Sequence, residues 1–155
     1  MRGYRLAGAS EASIHELALA GFGRAQALAV GFNGGEGEEA PTAASRPFSG
    51  RRAGFVMGEG AGMMVLEDYD SAVARGVGPD AMYAELAGYG SSGDGYHITS
   101  PAPDGDGAVR CMRAALANAG MEPGEVDYVN AHATSTPIGD RSAPRPLPVC
   151  RAVPL

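Results

Sequence analysis

The chain has 155 residues, 45% of them apolar and 19% charged, with a formal net charge of −6. That length and balance predict one soluble globular domain of ordinary size and exclude a nucleic-acid footprint, which needs a basic patch. Two cysteines without a Cys-x-x-Cys pair, and no apolar run near 18 residues, predict a reducing compartment, no disulfide framework and no membrane span.

Residues 1–5 lack an apolar stretch, so no secretory leader is predicted there. Residues 4–8 read as a strand remnant. Ser10 and Ser13 are candidate caps for a helix whose apolar face is Ile14, Leu17, Ala18, Gly21 and Phe22. A second short helix is predicted over 23–30. Residues 31–44, rich in Gly, Glu and Pro, predict an exposed loop with solvated glutamates. Gly58-Glu59-Gly60-Ala61-Gly62 invites a phosphate-loop reading, but such a loop needs a helix N-terminus directly after its glycines. Met63-Met64-Val65-Leu66 follows instead, and reads as a buried strand.

Residues 67–75 predict a short helix stopped by Gly76 and Pro79. Residues 83–90 alternate loosely and predict a strand, and 91–101 a loop rich in Ser, Gly and Asp. Residues 105–119 give the clearest helix: Val109, Met112, Leu116 and Ala119 form a stripe, Arg110 and Arg113 face away, and Gly120 ends it. Cys111 lies mid-helix with no histidine within a turn, which argues against a nucleophile. Asp127-Tyr128-Val129 reads as a strand end that delivers His132 into a loop of hydroxyl residues. Ligands in α/β proteins tend to sit beyond the carboxyl ends of strands, where an imidazole can work.

Three strings carry a resemblance. Asn130-Ala131-His132-Ala133-Thr134-Ser135-Thr136-Pro137, followed by Gly139-Asp140, closely resembles the first-histidine motif of the β-ketoacyl-acyl carrier protein synthases, the condensing enzymes of fatty-acid synthesis. Ser45-Arg46-Pro47-Phe48, with the later Gly54-Phe55-Val56-Met57-Gly58-Glu59-Gly60-Ala61-Gly62, is similar to a second segment of that family. Ser92, Asp94, Tyr96, His97, Thr99 and Pro101 match a third. The chain departs from the pattern at Ala53, where the family usually has Asp, a possible charge partner for Arg51 or Arg52.

The resemblance covers about residues 6–140. It implies an α/β protein with part of a thiolase-like fold in αβαβα layers, spanning the end of the family's first half and the start of its second. Residues 1–140 would form that partial domain, with the strands at 83–90 and 127–129 in one sheet and the 105–119 helix packed on it. Residues 141–155 hold four prolines, three arginines and no acid, and Ala143 stands where the family has Glu. Proline fixes φ and removes a donor, so this stretch predicts a non-homologous, disordered tail that is neither helix nor central strand.

The activity implied is decarboxylative Claisen condensation. A cysteine takes the acyl chain as a thioester, and the enolate left when a malonyl group loses CO₂ attacks it. His132 is the catalytic candidate, one of two neutral imidazoles that donate N–H to the enolate oxygen. Thr99, Thr134 and Thr136 are implied to contact the pantetheine arm, and Phe22 to border the acyl pocket. No cofactor or metal is implied, since the substrates ride on the phosphopantetheine of acyl carrier protein. That carrier is the implied partner, and a homodimer the implied assembly. The wording lies nearest the mitochondrial single-chain enzymes, which implies a mitochondrial location; the cytoplasm is the default otherwise.

The family's cysteine and second histidine have no match in this sequence, so the 155-residue chain alone is expected to be inactive. Two other readings stay open: a polyketide-type ketosynthase relative, and a non-catalytic truncated isoform that docks on a full-length subunit.

Overall fold

Strand β1 (Tyr4–Glu11) pairs antiparallel with β2 (Gly60–Glu67), in a register that sets Tyr4 opposite Glu67 and Glu11 opposite Gly60. These come from a computed structural model that describes residues 3–142. The described residues divide into two units. One takes in the stretch up to Ala20 and that from Met57 to Leu86; the other runs from Gly21 to Val56 and from Ala87 on.

In the first unit the ladder settles the glycine-rich stretch. Gly60 and Gly62 lie inside β2, so no helix N-terminus follows them. The Glu59 carboxylate accepts the Ile14 N–H at 2.9 Å. β2 was expected to be buried, and it is not: Met63 is 72% exposed and Leu6 on β1 77%. Apolar side chains of both strands meet solvent. Helix α1 (Glu16–Arg24) starts beyond Ser10, which lies in β1, and beyond Ser13. His15 serves instead, its Nδ1 accepting the Leu17 N–H at 3.2 Å. Helix α2 (Tyr69–Ala74) is capped by Asp68, whose Oδ1 accepts the Ser71 N–H at 3.0 Å. It stops at Gly76, whose φ of +87° is open to glycine at little cost.

Exposed Leu6, Met63 and Val65 share one face of the ladder and form an apolar surface of the kind that monomers rarely leave open, with exposed Met64 on the other face. The 155-residue chain is expected to self-associate, seen as a scattering mass that rises with concentration. A monodisperse monomer with one cooperative calorimetric transition would contradict this.

In the second unit the predicted helix over 23–30 does not form. Gln26 has φ +55°, which breaks the helical path after α1. Residues 27–29 then run parallel to Phe55: Phe55 N–H donates to the Ala27 carbonyl and Ala29 N–H to the Phe55 carbonyl, both at 2.9 Å. Gly54, φ +147°, brings its backbone so close to Leu28 that a Cβ there would strike the Leu28 carbonyl.

Helix α3 (Asp106–Ala119) has the predicted face: Val109, Met112 and Leu116 are half-buried, Arg110 and Arg113 exposed. Gly120 at φ +66° closes it, and the Met121 N–H returns to the Leu116 carbonyl at 3.0 Å. Residues 87–90 lie across α3. The Tyr89 N–H donates to Asn118 Oδ1 at 3.1 Å, and any side chain at Gly90 would strike the Cys111 carbonyl oxygen.

The expected strands at 83–90 and 127–129 are corrected. Neither joins a ladder, and among the described residues the sheet is β1–β2 alone. A strand exists through backbone bonds to a neighbouring strand, and among the described residues these segments have none. Helix α4 (Gly139–Ser142) also corrects the tail: Arg141 and Ser142, expected outside any helix, complete its single turn. The first proline of the tail is Pro144, so the N–H groups of 139–142 are free to bond. The disorder expected for the rest of the tail falls on 143–155, outside the described residues.

Candidate active site

The loop that carries His132 is fixed at its far end by Ser135. This residue is fully buried and sits at φ +70°, a conformation that costs a non-glycine residue free energy unless its surroundings impose it. They do so through three bonds. Ser135 N–H donates to Asp140 Oδ1 at 3.1 Å, its carbonyl accepts the Gly54 N–H at 2.9 Å, and its Oγ accepts the Arg46 N–H at 3.1 Å.

Asp140 is the second anchor. Its side chain is 0% exposed, and its Oδ2 accepts the Phe48 N–H at 2.8 Å. Arg52 lies beside it, Nε to Oδ2 at 3.5 Å, and is itself only 13% exposed. A buried carboxylate is tolerated when its oxygens are bonded and its charge is paired, and both hold for Asp140. Arg52 also donates to the Thr136 carbonyl at 3.1 Å, the Pro137 carbonyl at 2.9 Å and the Ser49 carbonyl at 2.8 Å. With Ala at 53, the carboxylate beside Arg52 is that of Asp140, in α4. Arg51 finds Glu39 at 3.6 Å.

Thr134 and Thr136 share a hydrogen bond of 3.1 Å between their hydroxyls. Thr136 Oγ1 also accepts the Gly139 N–H at 3.2 Å, at the start of α4. Both threonines are half-buried, whereas His132 is exposed. The result is an imidazole presented to solvent from a loop whose next residues are pinned.

The other candidates lie on separate segments. Thr99 is exposed, and its N–H donates to His97 Nδ1 at 3.1 Å. Asp94 steadies the same loop by accepting the Ala102 N–H at 2.9 Å. Phe22 packs edge-on against Phe55, with centroids 5.1 Å apart and planes at 84°. Of His132, Thr99, Thr134, Thr136 and Phe22, only Thr134 and Thr136 share a hydrogen bond among the described residues. Arg52 and Ser135 were missed as site residues. In the sequence Arg52 is legible only as a charge beside Ala53, and nothing in the letters marks Ser135 as left-handed.

The glutamates of the 31–44 loop meet solvent as expected, and two of them also make hydrogen bonds. Glu38 Oε2 accepts the N–H groups of Asn33 and Gly35 at 3.0 and 3.1 Å. Glu39 holds Arg46 through both its oxygens at 2.6 and 3.1 Å. The bond from Arg46 keeps the Glu39 carboxyl below the usual glutamate range. Arg46 in turn stacks its guanidinium 4.8 Å above the Phe32 ring. A shallow cleft of about 140 Å³, lined by Gly3, Tyr4, Glu67, Ser71 and Arg75, contains none of the candidates. Among the described residues no three or more His, Cys, Asp or Glu side chains are grouped to hold a metal ion, and no helix is long and apolar enough to cross a membrane.

Residues 3–72 match the family described as Beta-ketoacyl synthase, N-terminal domain, and residues 83–143 match Beta-ketoacyl synthase, C-terminal domain. The chain belongs to the β-ketoacyl synthase family. Over 135 residues, 87% of the chain, it is 54% identical to the mitochondrial 3-oxoacyl-[acyl-carrier-protein] synthase of Arabidopsis thaliana, spanning 28% of that protein. It is 50% identical over the same length to 3-oxoacyl-[acyl-carrier-protein] synthase 2 of Staphylococcus aureus, spanning 31% of it. A ketosynthase solved with its type II PKS acyl-carrier protein superimposes at TM-score 0.80 and 40% identity, over 90% of this chain and 32% of that one. A β-ketoacyl synthase from Burkholderia phymatum superimposes at 0.75 and 37%, over 90% and 31%.

This β-ketoacyl synthase chain thus spans about three-tenths of the curated relatives it matches. Its backbone is that of the thiolase-like ketosynthases, a mixture of helix and strand as expected.

Proposed function

We propose that this chain supplies the enolate-stabilising part of a decarboxylative condensing enzyme of fatty-acid synthesis, acting on substrates carried by acyl carrier protein. His132 donates an N–H to the thioester oxygen on which charge grows as the malonyl group loses CO₂. Thr99, Thr134 and Thr136 contact the pantetheine arm, and Phe22 borders the acyl chain. No cofactor or metal takes part.

The observation that carries this reading is the contrast within one loop. Ser135 is buried and bonded on three sides, while His132, three residues earlier, is exposed. An oxyanion donor has to be held still before the charge appears, and a backbone pinned three residues on supports that role for His132. The hydroxyls of Thr134 and Thr136 are already partly engaged, so the arm would meet their remaining lone pairs.

Acyl carrier protein as partner is supported by the names of the Arabidopsis and Staphylococcus relatives. A mitochondrial location is supported by the first of those names. A homodimer is part of the same proposal. A polyketide-type reading draws on the structural neighbour, at 40% identity, against 54% for the fatty-acid relative, so the fatty-acid reading is preferred.

The test is a graft. Residues 3–142 replace the matching stretch of the Staphylococcus synthase, and elongation of an acyl group on carrier protein is assayed. Elongation is expected. A folded graft that acylates its cysteine yet never elongates would contradict the reading.

A further inference from the structure

We infer that Arg52 is a positioning residue for the His132 loop. The inference deepens the reading of His132 as an oxyanion donor and rests on it. One guanidinium bonds two consecutive carbonyls of the loop, Thr136 and Pro137, at 3.1 and 2.9 Å. The same group reaches Ser49 on its own segment at 2.8 Å and neutralises Asp140 from 3.5 Å. Asp140 in turn accepts the N–H groups of both loops, Ser135 and Phe48. Arg52 therefore closes a circuit from the 46–55 segment to the loop and back. Each of these bonds has an ionised partner, the strong class of hydrogen bond. Planar fork geometry makes this possible, and a lysine ammonium cannot reach all four acceptors.

Residues 133–134 alone separate His132 from Ser135. Arg52 makes no hydrogen bond to Ser135 among the described residues, but it holds the next residue, Thr136, and pairs with Asp140, which accepts the Ser135 N–H. Loosening both weakens what imposes the positive φ of Ser135, and relaxation there swings the chain on which the imidazole stands. Loss of Arg52 should thus act on His132 at a distance, through backbone geometry and without contact with substrate.

Two experiments test this. In the 155-residue chain, amide hydrogen exchange is followed in the wild type, Arg52→Met and Arg52→Lys. Exchange over 133–140 is expected to quicken about tenfold or more in Arg52→Met, the scale of one lost charge-assisted hydrogen bond, and less in Arg52→Lys. The 106–119 helix should exchange as before. Unchanged exchange over 133–140 would overturn the inference, as would an equal rise in the helix, which reads as general unfolding.

In the graft, Arg52→Met should lower kcat about tenfold and leave KM within about twofold. Placed on His132→Ala, the same change should cost less than about twofold, because there is no imidazole left to misplace. An undiminished cost in that background would mean that Arg52 serves the fold alone, and would overturn the inference. Should His132→Ala by itself cost nothing, the functional reading fails, while the exchange data still decide whether Arg52 holds the loop.

Discussion

Replacing His132 with alanine in the graft lowers condensation by about 10²–10³-fold, the loss seen when one donor leaves an oxyanion hole. The charge that develops during decarboxylation sits on the malonyl thioester oxygen. An imidazole N–H that reaches that point would stabilise the enolate more than the ground-state carbonyl, so its loss should fall on kcat. Acylation of the cysteine builds charge on a different oxygen and should suffer less. His132→Asn should recover little unless its shorter amide reaches the same position. His132 is exposed and its side chain anchors nothing among the described hydrogen bonds, so its removal should leave the thermal midpoint close to the parent's. A drop in rate without a drop in midpoint separates a chemical role from a structural one.

Asp140→Ala is expected to be the most damaging single change to the fold of this region, at about 3–5 kcal/mol, the usual result of removing one partner of a buried pair. Three losses coincide. The Phe48 and Ser135 N–H groups lose their acceptor, and Arg52 is left with its positive charge 13% exposed and no carboxylate. The change reads out as a lower urea midpoint of the 155-residue chain, followed by circular dichroism at a concentration where one species is present. Asp140→Asn keeps the shape and an acceptor oxygen but drops the charge, and should fall between. An unfolding free energy for Asp140→Ala within about 0.5 kcal/mol of the parent's, the range of ordinary surface changes, would show that Asp140 carries no such load.

What could be read in the letters was what depends on local period or on a long shared string. The stripe of Val109, Met112 and Leu116 announced α3, because a helix exposes its repeat every turn. Met63 to Leu66 announced β2, and the absence of a helix after Gly62 disposed of the phosphate loop. The string from Asn130 to Asp140 pointed to the family. What could not be read depends on residues far apart in the chain. Glu38 and Glu39 are surface acids, as their letters suggest, but nothing local shows that they bond the turn at 33–35 and Arg46. Gln26 and Ser135 carry no mark of their positive φ, which their neighbours impose. The segments at 83–90 and 127–129 have strand letters but no strand beside them among the described residues, and alternation alone cannot supply a ladder. Arg52 was visible as a charge, but its four acceptors on two loops were not.

The most direct measurement is single-turnover release of CO₂ from malonyl-carrier protein, with the graft already acylated on its cysteine. It isolates the step in which the enolate forms from acyl loading and product release. With His132 present, CO₂ should appear at the parental rate. With alanine at 132 and the fold intact, it should slow by about 10²-fold or more. Equal rates in the two proteins would contradict the assignment of His132 as the enolate's donor.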